Sequence, residues 1–341
     1  MSNLASRLSG RVTLDLDRLV TEGSLSSDEA ERLRALALPA QTNRILANVL
    51  LIFGALMLVA GVLTLRPAID VGVGMAVGAL LVGGLLIRLA RHEWGLLGQT
   101  LVLMGVLGLG GWAALRFDGL GQPWPHLVAP FIASITIVGA LASRNRVLAA
   151  LSPIAVGGVI GAGTGYWHAA YALYISEATI CVVLFTALAA VLYWSRPRWP
   201  AMLQESTLVA ARVSFILANL GFWIGSLWGD YPGEMWFTSE TVWSHDAAWR
   251  ATAFHVADVA FSVGWAAFLV GALYIGLKTH RRFVANSAIV FLAIHLYTQF
   301  FERFYLHAEA AVAGGAGLIV LGIALFRFDR WQRERAVVTA A

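Results

Sequence analysis

The stretch ATICVVLFTALAAVLYW, residues 178–194, carries no charged side chain. At 1.5 Å per residue, a helix of about 20 residues crosses the roughly 30 Å hydrocarbon core of a bilayer. Similar runs recur from Arg44 onward in a chain that is 59% hydrophobic and only 13% charged. Soluble domains contain roughly 25% charged residues. The sequence therefore predicts an all-α fold, a polytopic transmembrane helical bundle embedded in a lipid bilayer.

The apolar runs number ten. The fourth is short and contains Pro130, and the dipeptide WH at 167–168 marks the junction of the fifth and the sixth. A re-entrant segment at either place would reduce the number of crossings to nine or eight. The predicted spans are 44–65, 68–89, 94–115, 126–143, 147–167, 169–194, 206–228, 251–276, 283–305 and 309–327.

The distribution of basic residues predicts the orientation, because cytoplasmic loops carry an excess of Arg and Lys. With the amino terminus in the cytoplasm, nineteen basic residues lie on the cytoplasmic side and four lie outside, namely Arg66, Arg116, Arg250 and Arg303. The remaining one, Arg212, lies inside the seventh span and can extend to the cytoplasmic face. Both termini are predicted to be cytoplasmic, in the inner membrane of a bacterium.

Three segments are predicted: a cytosolic helical pair at 1–43, a transmembrane domain at 44–327 and a basic cytosolic tail at 328–341. In the first segment, Gly23 favours a helix end, and Ser26 with Glu29 has the spacing of a capping box. Neither helix has a basic face for reading DNA, so no nucleic acid is expected as a partner. We expect residues 1–43 to bind a protein partner or to self-associate. The oligomeric state does not follow from this pattern.

Three stretches carry a resemblance to a known family: LDRLVTEGSLSSDEAERL at 16–33, RILANVLLIFGALMLVAGVL at 44–63, and RFVANSAIVFLAIHLYTQFFERFYL at 282–306, followed by a glycine-rich span. The chain resembles a family of uncharacterised bacterial multi-pass membrane proteins, a domain of unknown function. The resemblance implies a short amino-terminal helical pair followed by many spans. It implies no activity and no functional residues.

Glycines at helical spacing indicate close helix packing. Gly157, Gly161 and Gly165 lie four residues apart, as do the pairs Gly74/Gly78 and Gly221/Gly225. Small residues at this spacing let helices approach closely in lipid. We therefore expect these glycines to lie on packing surfaces between helices.

Charged or strongly polar residues inside predicted spans are the candidates for function, because a charge near the centre of a transmembrane helix costs about 2.5–3.5 kcal/mol. Counted from the outer ends of the spans, Glu177 lies about 12 Å deep, Asp258 about 10 Å and His295 about 15 Å. His255 and Asp258 are expected one helical turn apart on one face of the eighth span. The candidate binding or proton-relay residues are Glu177, His255, Asp258, His295, Gln299 and Glu302.

Several functions could use these residues. They could hydrogen-bond one another and fix the packing of the last spans, which requires Glu177 and Asp258 to be neutral or paired. They could form a proton-linked site for a small solute, since buried carboxylate and imidazole groups can exchange protons near neutral pH. A haem held by His255 and His295, or a metal site that adds Glu302 and His307, is less favoured because the depths or spacings fit poorly.

The sequence favours a non-enzymatic scaffold or sensor-like protein, with proton-linked secondary transport of a small solute as the alternative. No catalytic residue, cofactor or metal ion is expected.

Overall fold

The computed structural model describes residues 16–36, 69–89, 91–117, 125–167, 170–237 and 247–304, with single positions between 50 and 57 and between 312 and 330. The chain divides into two compact units, Met1–Gly61 and Val62–Ala341.

The first unit contains a helical pair, α1 (Leu16–Thr21) and α2 (Ser27–Leu36). Gly23 ends the first helix with a φ of 69°, a left-handed conformation that favours glycine. The amide of Ser26 donates to Glu29 Oε2 at 3.0 Å, and the amide of Glu29 donates to Ser26 Oγ at 3.3 Å. The Ser26 hydroxyl also donates to Glu29 Oε2 at 2.7 Å, and this bond, followed by that of the Ser26 amide, lowers the pKa of the exposed Glu29 carboxyl. The predicted turn and capping box are therefore confirmed.

The second unit is predominantly helical, with one short hairpin of strands. Its elements in chain order are α3 (Ile69–Leu89), α4 (Arg91–Phe117), α5 (Pro125–Ser143), α6 (Arg146–Val159), β1 (Ala162–Trp167), β2 (Ala170–Ile175), α7 (Ala178–Ser195), α8 (Ala201–Trp228), α9 (Glu234–Phe237), α10 (Ala247–Arg250), α11 (Asp258–Lys278) and α12 (Arg282–Phe304).

Among the described residues, six helices are long and apolar enough to cross a membrane. The helices at Leu127–Ser143 and Arg146–Val159 are apolar but shorter. The predicted first and tenth spans, 44–65 and 309–327, lie largely outside the described residues. The protein is an all-α, multi-pass membrane protein. Its six candidate spans are Val71–Leu89, Trp94–Phe117, Ala178–Arg198, Ala201–Trp228, Asp258–Lys278 and Arg282–Glu302.

The predicted fifth and sixth spans, 147–167 and 169–194, are wrong where they adjoin: the end of the fifth and the start of the sixth are strands and not helix. Helix α6 ends at Val159, and an antiparallel hairpin pairs Ala162 with Ile175 before α7 begins. Hydropathy alone does not distinguish an apolar strand from a stretch of apolar helix. Gly161 has a φ of 72° in the turn after α6. The expected helical seam of Gly157, Gly161 and Gly165 therefore does not form.

Glycine brings helices together elsewhere in the bundle. A Cβ atom at Gly221 of α8 would lie 3.0 Å from Cys181 Sγ of α7, and one at Gly276 of α11 would lie 2.7 Å from the amide nitrogen of Ala285 in α12. A Cβ at Gly74 or Gly78 would meet no described atom within 4 Å. Gly221 therefore lies on a packing surface as expected, whereas the Gly74/Gly78 pair meets no neighbouring helix among the described residues.

Two of the largest buried side chains among the described residues lie between α8, α11 and α12. Trp265 and Leu269 of α11 are fully buried and pack with Phe291 of α12 and with aromatic side chains of α8. A second cluster joins Phe185 of α7 to Ala218 of α8. Helices α7, α8, α11 and α12 thus form a four-helix assembly in which α7 packs on α8, α8 on α11, and α11 on α12.

Candidate functional site in the cap of the four-helix assembly

Glu177 lies immediately before α7 and is fully buried, with 0% of its surface exposed. Its Oε2 accepts a hydrogen bond from the amide of Gly233 at 2.7 Å, and its Oε1 accepts one from the amide of Met235 at 2.8 Å. Both carboxylate oxygens therefore hold the loop that follows α8. The expected position of Glu177, about 12 Å deep inside a helix, is wrong, because the hairpin delays the start of α7.

Burial raises the pKa of Glu177 above its ordinary value of 4.5. The two amide donors act in the opposite direction, and the nearby Asp230 and Glu234 carboxyl groups raise the pKa further. The loss of hydration is the largest of these influences. The buried carboxyl group therefore takes up a proton more readily than an exposed glutamate does.

Asp230 makes the reciprocal contact. Its Oδ2 accepts a hydrogen bond at 2.7 Å from the amide of Thr179, in the first turn of α7, whose first amides have no partner within the helix. The backbone of Asp230 also pairs with Val256 through two bonds of 2.9 Å. One acidic residue thus joins the start of α7, the end of α8 and the segment before α11.

Arg250 and its neighbours complete this region. Arg250 Nε and Nη2 donate to the two carboxylate oxygens of Glu234 at 2.6 and 2.8 Å. The hydrogen bond to Glu234 raises the pKa of Arg250. The guanidinium lies 4.8 Å from the centre of the Tyr231 ring, and that ring stacks on His255 with centroids 4.5 Å apart. We call Glu177, Asp230, Tyr231, Glu234, Arg250 and His255 the polar cap.

His255 and Asp258 do not share a helical face inside a span. His255 is exposed in the extended segment before α11, and Asp258 is exposed as the first residue of that helix. The predicted eighth span, 251–276, therefore begins seven residues too early, because the pairing of Val256 with Asp230 keeps the chain extended. At the helix start, a negative charge is favourable by about 0.3–1 kcal/mol.

A second polar group lies within the helices. Trp265 Nε1 donates to Asn219 Oδ1 at 3.0 Å, and both side chains are fully buried. Asn219 also donates to the carbonyl of Phe215 at 2.8 Å. The ring of His295, a residue 7% exposed, lies edge-on to Trp265 with centroids 4.9 Å apart. These contacts tie α8, α11 and α12 together.

A groove of about 420 Å³ lies between α11 and α12. Ser262 is buried there, and within the described part of the chain its hydroxyl has no hydrogen-bond partner. Glu302 is exposed and does not line this groove. The groove-lining residues are Ser262, Val263, Ala266, His295, Leu296, Gln299 and Phe300.

The predicted candidates therefore fall into separate places. Glu177 and His255 belong to the polar cap, whereas His295 and Gln299 line the groove between α11 and α12. Asp230, Tyr231, Glu234 and Arg250 were missed, because only residues inside predicted spans were considered. Their signal was present between the predicted seventh and eighth spans, at 228–250, where four acidic residues and an arginine lie among aromatic side chains.

No described group of three or more His, Cys, Asp or Glu side chains is arranged to hold a metal ion. His255 stacks on Tyr231 and His295 packs against Trp265, so the two histidines are not arranged as a pair of haem ligands. His307, part of the alternative metal set, lies outside the described residues.

Comparison with protein-family models, with curated proteins and with solved structures gives no match. The fold and the site define the class of protein: a multi-pass helical membrane protein with a hydrogen-bonded polar cap at one end of a four-helix assembly.

Replacing Glu177 with Gln is expected to destabilise the fold. The amide retains one accepting oxygen and turns an NH₂ group toward a backbone N–H, so one buried N–H is left without an acceptor, at a cost of about 1–3 kcal/mol. The matched variant Asp258→Asn changes an exposed residue and should cost less than about 1 kcal/mol. Unfolding in detergent at mildly acidic pH, followed by circular dichroism, measures both. Equal stability of the two variants would contradict this account of Glu177.

The wild type and Glu177→Gln should differ in how their stability depends on pH. Because the folded-state pKa of Glu177 is raised, its contribution to stability is complete below the ordinary value and is lost as pH rises through the folded-state value. The free energy of unfolding of the wild type, relative to Glu177→Gln, should therefore fall from about pH 4.5 toward neutrality. A difference that increases over this range would show that burial is not the dominant influence.

Proposed function

We propose that this protein is a non-enzymatic scaffold or sensor-like protein of a bacterial cytoplasmic membrane. One observation carries the proposal: both oxygens of the buried Glu177 carboxylate accept hydrogen bonds from backbone amides. A proton relay needs a carboxyl group that exchanges protons with water or with a substrate. The use of Glu177 as an acceptor for two loop amides supports a structural role instead.

The helical pair within residues 1–43 is proposed as the contact for a protein partner. Its support is local: α1 and α2 form a capped pair, and Leu33 is 40% exposed among charged neighbours on α2. An exposed apolar side chain on a charged helix fits a small protein contact better than a nucleic-acid surface.

Ten spans with both termini in the cytoplasm are part of the proposal. Its support is the charge difference between the two ends of the four-helix assembly, since cytoplasmic ends carry the basic residues. The end with the polar cap is rich in acids: Glu177, Asp230, Glu234, Asp258 and Glu302. The opposite end is rich in bases: Arg196, Arg198, Lys278, Arg281 and Arg282.

A pair of reporter fusions tests this orientation. A fusion after Arg335 should be active only with a reporter that works in the cytoplasm, because ten crossings return the chain to its starting side. A fusion at Thr241, between the predicted seventh and eighth spans, should be active only with a reporter that works outside. Activity of an external reporter after Arg335 would contradict an even number of crossings.

Proton-linked transport of a small solute is the second candidate, and the groove between α11 and α12 favours it. Ser262, His295 and Gln299 offer hydrogen-bonding groups beside aliphatic walls, which is typical of a small-molecule site. The buried hydroxyl of Ser262 has no partner within the described residues, so a ligand oxygen or nitrogen there would gain a hydrogen bond.

Proton flux into proteoliposomes distinguishes the two candidates. A scaffold should give no flux above that of protein-free liposomes, read with an internal pH-sensitive dye under an imposed pH gradient and a panel of small solutes. His295→Phe tests the groove, and His255→Phe is the matched control, because His255 is exposed in the polar cap. Flux that is lost in His295→Phe and kept in His255→Phe would overturn the scaffold proposal.

A further inference from the structure

A group of cations gathers at the end of the four-helix assembly opposite the polar cap. They come from the segment after α7, from α8 and from the turn between α11 and α12. We call this group the basic patch; its members are Arg198, Arg212, Lys278, Arg281 and Arg282.

Aromatic rings on other helices position two of these cations. The Arg281 guanidinium lies 4.3 Å from the ring centre of Tyr193 at the end of α7. That of Arg212, on α8, lies 5.0 Å from the ring centre of Phe283 on α12. Each pair joins different helices, and a ring that holds a guanidinium reduces the conformational entropy lost when an anion binds. The cations therefore lie at one end of the assembly, on elements that these contacts link to one another.

The basic patch has an excess of positive charge. In the described helices α7, α8, α11 and α12, the one carboxylate at this end is Glu205, which pairs with Arg196 at 2.8 Å. Within the described residues, no member of the basic patch makes an ion pair; ring contacts or backbone hydrogen bonds are made by Arg198, Arg212, Lys278 and Arg281. Like charges held together repel one another unless an anion lies among them.

We propose that the basic patch binds the phosphate group of an anionic phospholipid. Trp194 and Tyr274, which are 70% and 63% exposed, lie at the same end of the helices, and exposed Trp and Tyr prefer the depth of lipid headgroups. Basic clusters at helix ends attract anionic lipids, and guanidinium groups bind phosphate oxygens two at a time. All five cations of the basic patch are exposed. This site goes beyond the proposed scaffold function and does not depend on it.

The test uses the full-length protein in nanodiscs that contain equal amounts of phosphatidylglycerol and phosphatidylcholine, with retained lipid identified by native mass spectrometry. The wild type should retain phosphatidylglycerol. Each cation removed should weaken the affinity for this lipid about fivefold. The double variant Arg281→Gln/Arg282→Gln should therefore bind phosphatidylglycerol roughly thirtyfold more weakly. Arg281→Lys/Arg282→Lys keeps both charges and should stay within about fivefold of the wild type.

A matched control removes two exposed arginines elsewhere, Arg88 at the end of α3 and Arg146 at the start of α6. Arg88→Gln/Arg146→Gln should bind phosphatidylglycerol as the wild type does. Circular dichroism checks folding of every variant. If the Arg281 double variant does not fold, the single Arg282→Gln change, at an exposed residue with no ring contact among the described residues, should still weaken binding about fivefold.

Two outcomes would overturn the proposal. Equal losses in the two Gln double variants would show that only net charge attracts the lipid. Inorganic phosphate or glycerol phosphate could instead protect the wild type against thermal unfolding as well as phosphatidylglycerol does. That result would show that the basic patch binds a soluble phosphate and would exclude a phospholipid as its specific ligand.

Discussion

The burial of one carboxylate against two backbone amides organises one end of this protein. Glu177 holds the loop after α8 through Gly233 and Met235, and that loop returns Asp230 to the amide of Thr179 at the start of α7. The start of α7 and the loop after α8 thus each supply a carboxylate that accepts hydrogen bonds from backbone amides of the other. Because an unsatisfied buried amide costs about 1–3 kcal/mol, the two contacts support each other.

The remainder of the polar cap follows from this exchange. With Asp230 fixed, its backbone pairs with Val256, which sets the point where α11 begins. The ring of Tyr231, the next residue, contacts both Arg250 and His255, and so connects the segment after α8 with the segment before α11. Further along the helices, the Trp265–Asn219 bond and the edge contact with His295 hold α8, α11 and α12 together. The Glu177 and Asp230 carboxylates of the polar cap accept hydrogen bonds from backbone amides. The basic patch at the opposite end has an excess of positive charge.

Hydropathy was sufficient for the features that depend on length and local spacing. Helices α8 and α12 begin within a few residues of their predicted spans, and the Ser26/Glu29 capping box is a contact between neighbours in sequence. The hairpin at 162–175 was not predictable, because its strands are as apolar as a transmembrane helix and lengthen the apolar runs on either side. Counting apolar residues then placed Glu177 and Asp258 inside helices, whereas Glu177 precedes α7 and Asp258 is the first residue of α11. Asp230 was missed because its two roles depend on contacts 51 and 26 residues away.

Hydrogen exchange at the amides of Gly233 and Met235 tests this account most directly, because those two groups are bound by Glu177 and by no helix or sheet. The account predicts slow exchange of both amides in the wild type, together with much faster exchange in Glu177→Gln while the amides within α8 stay protected. Rapid exchange of both amides in the folded wild-type protein would contradict it.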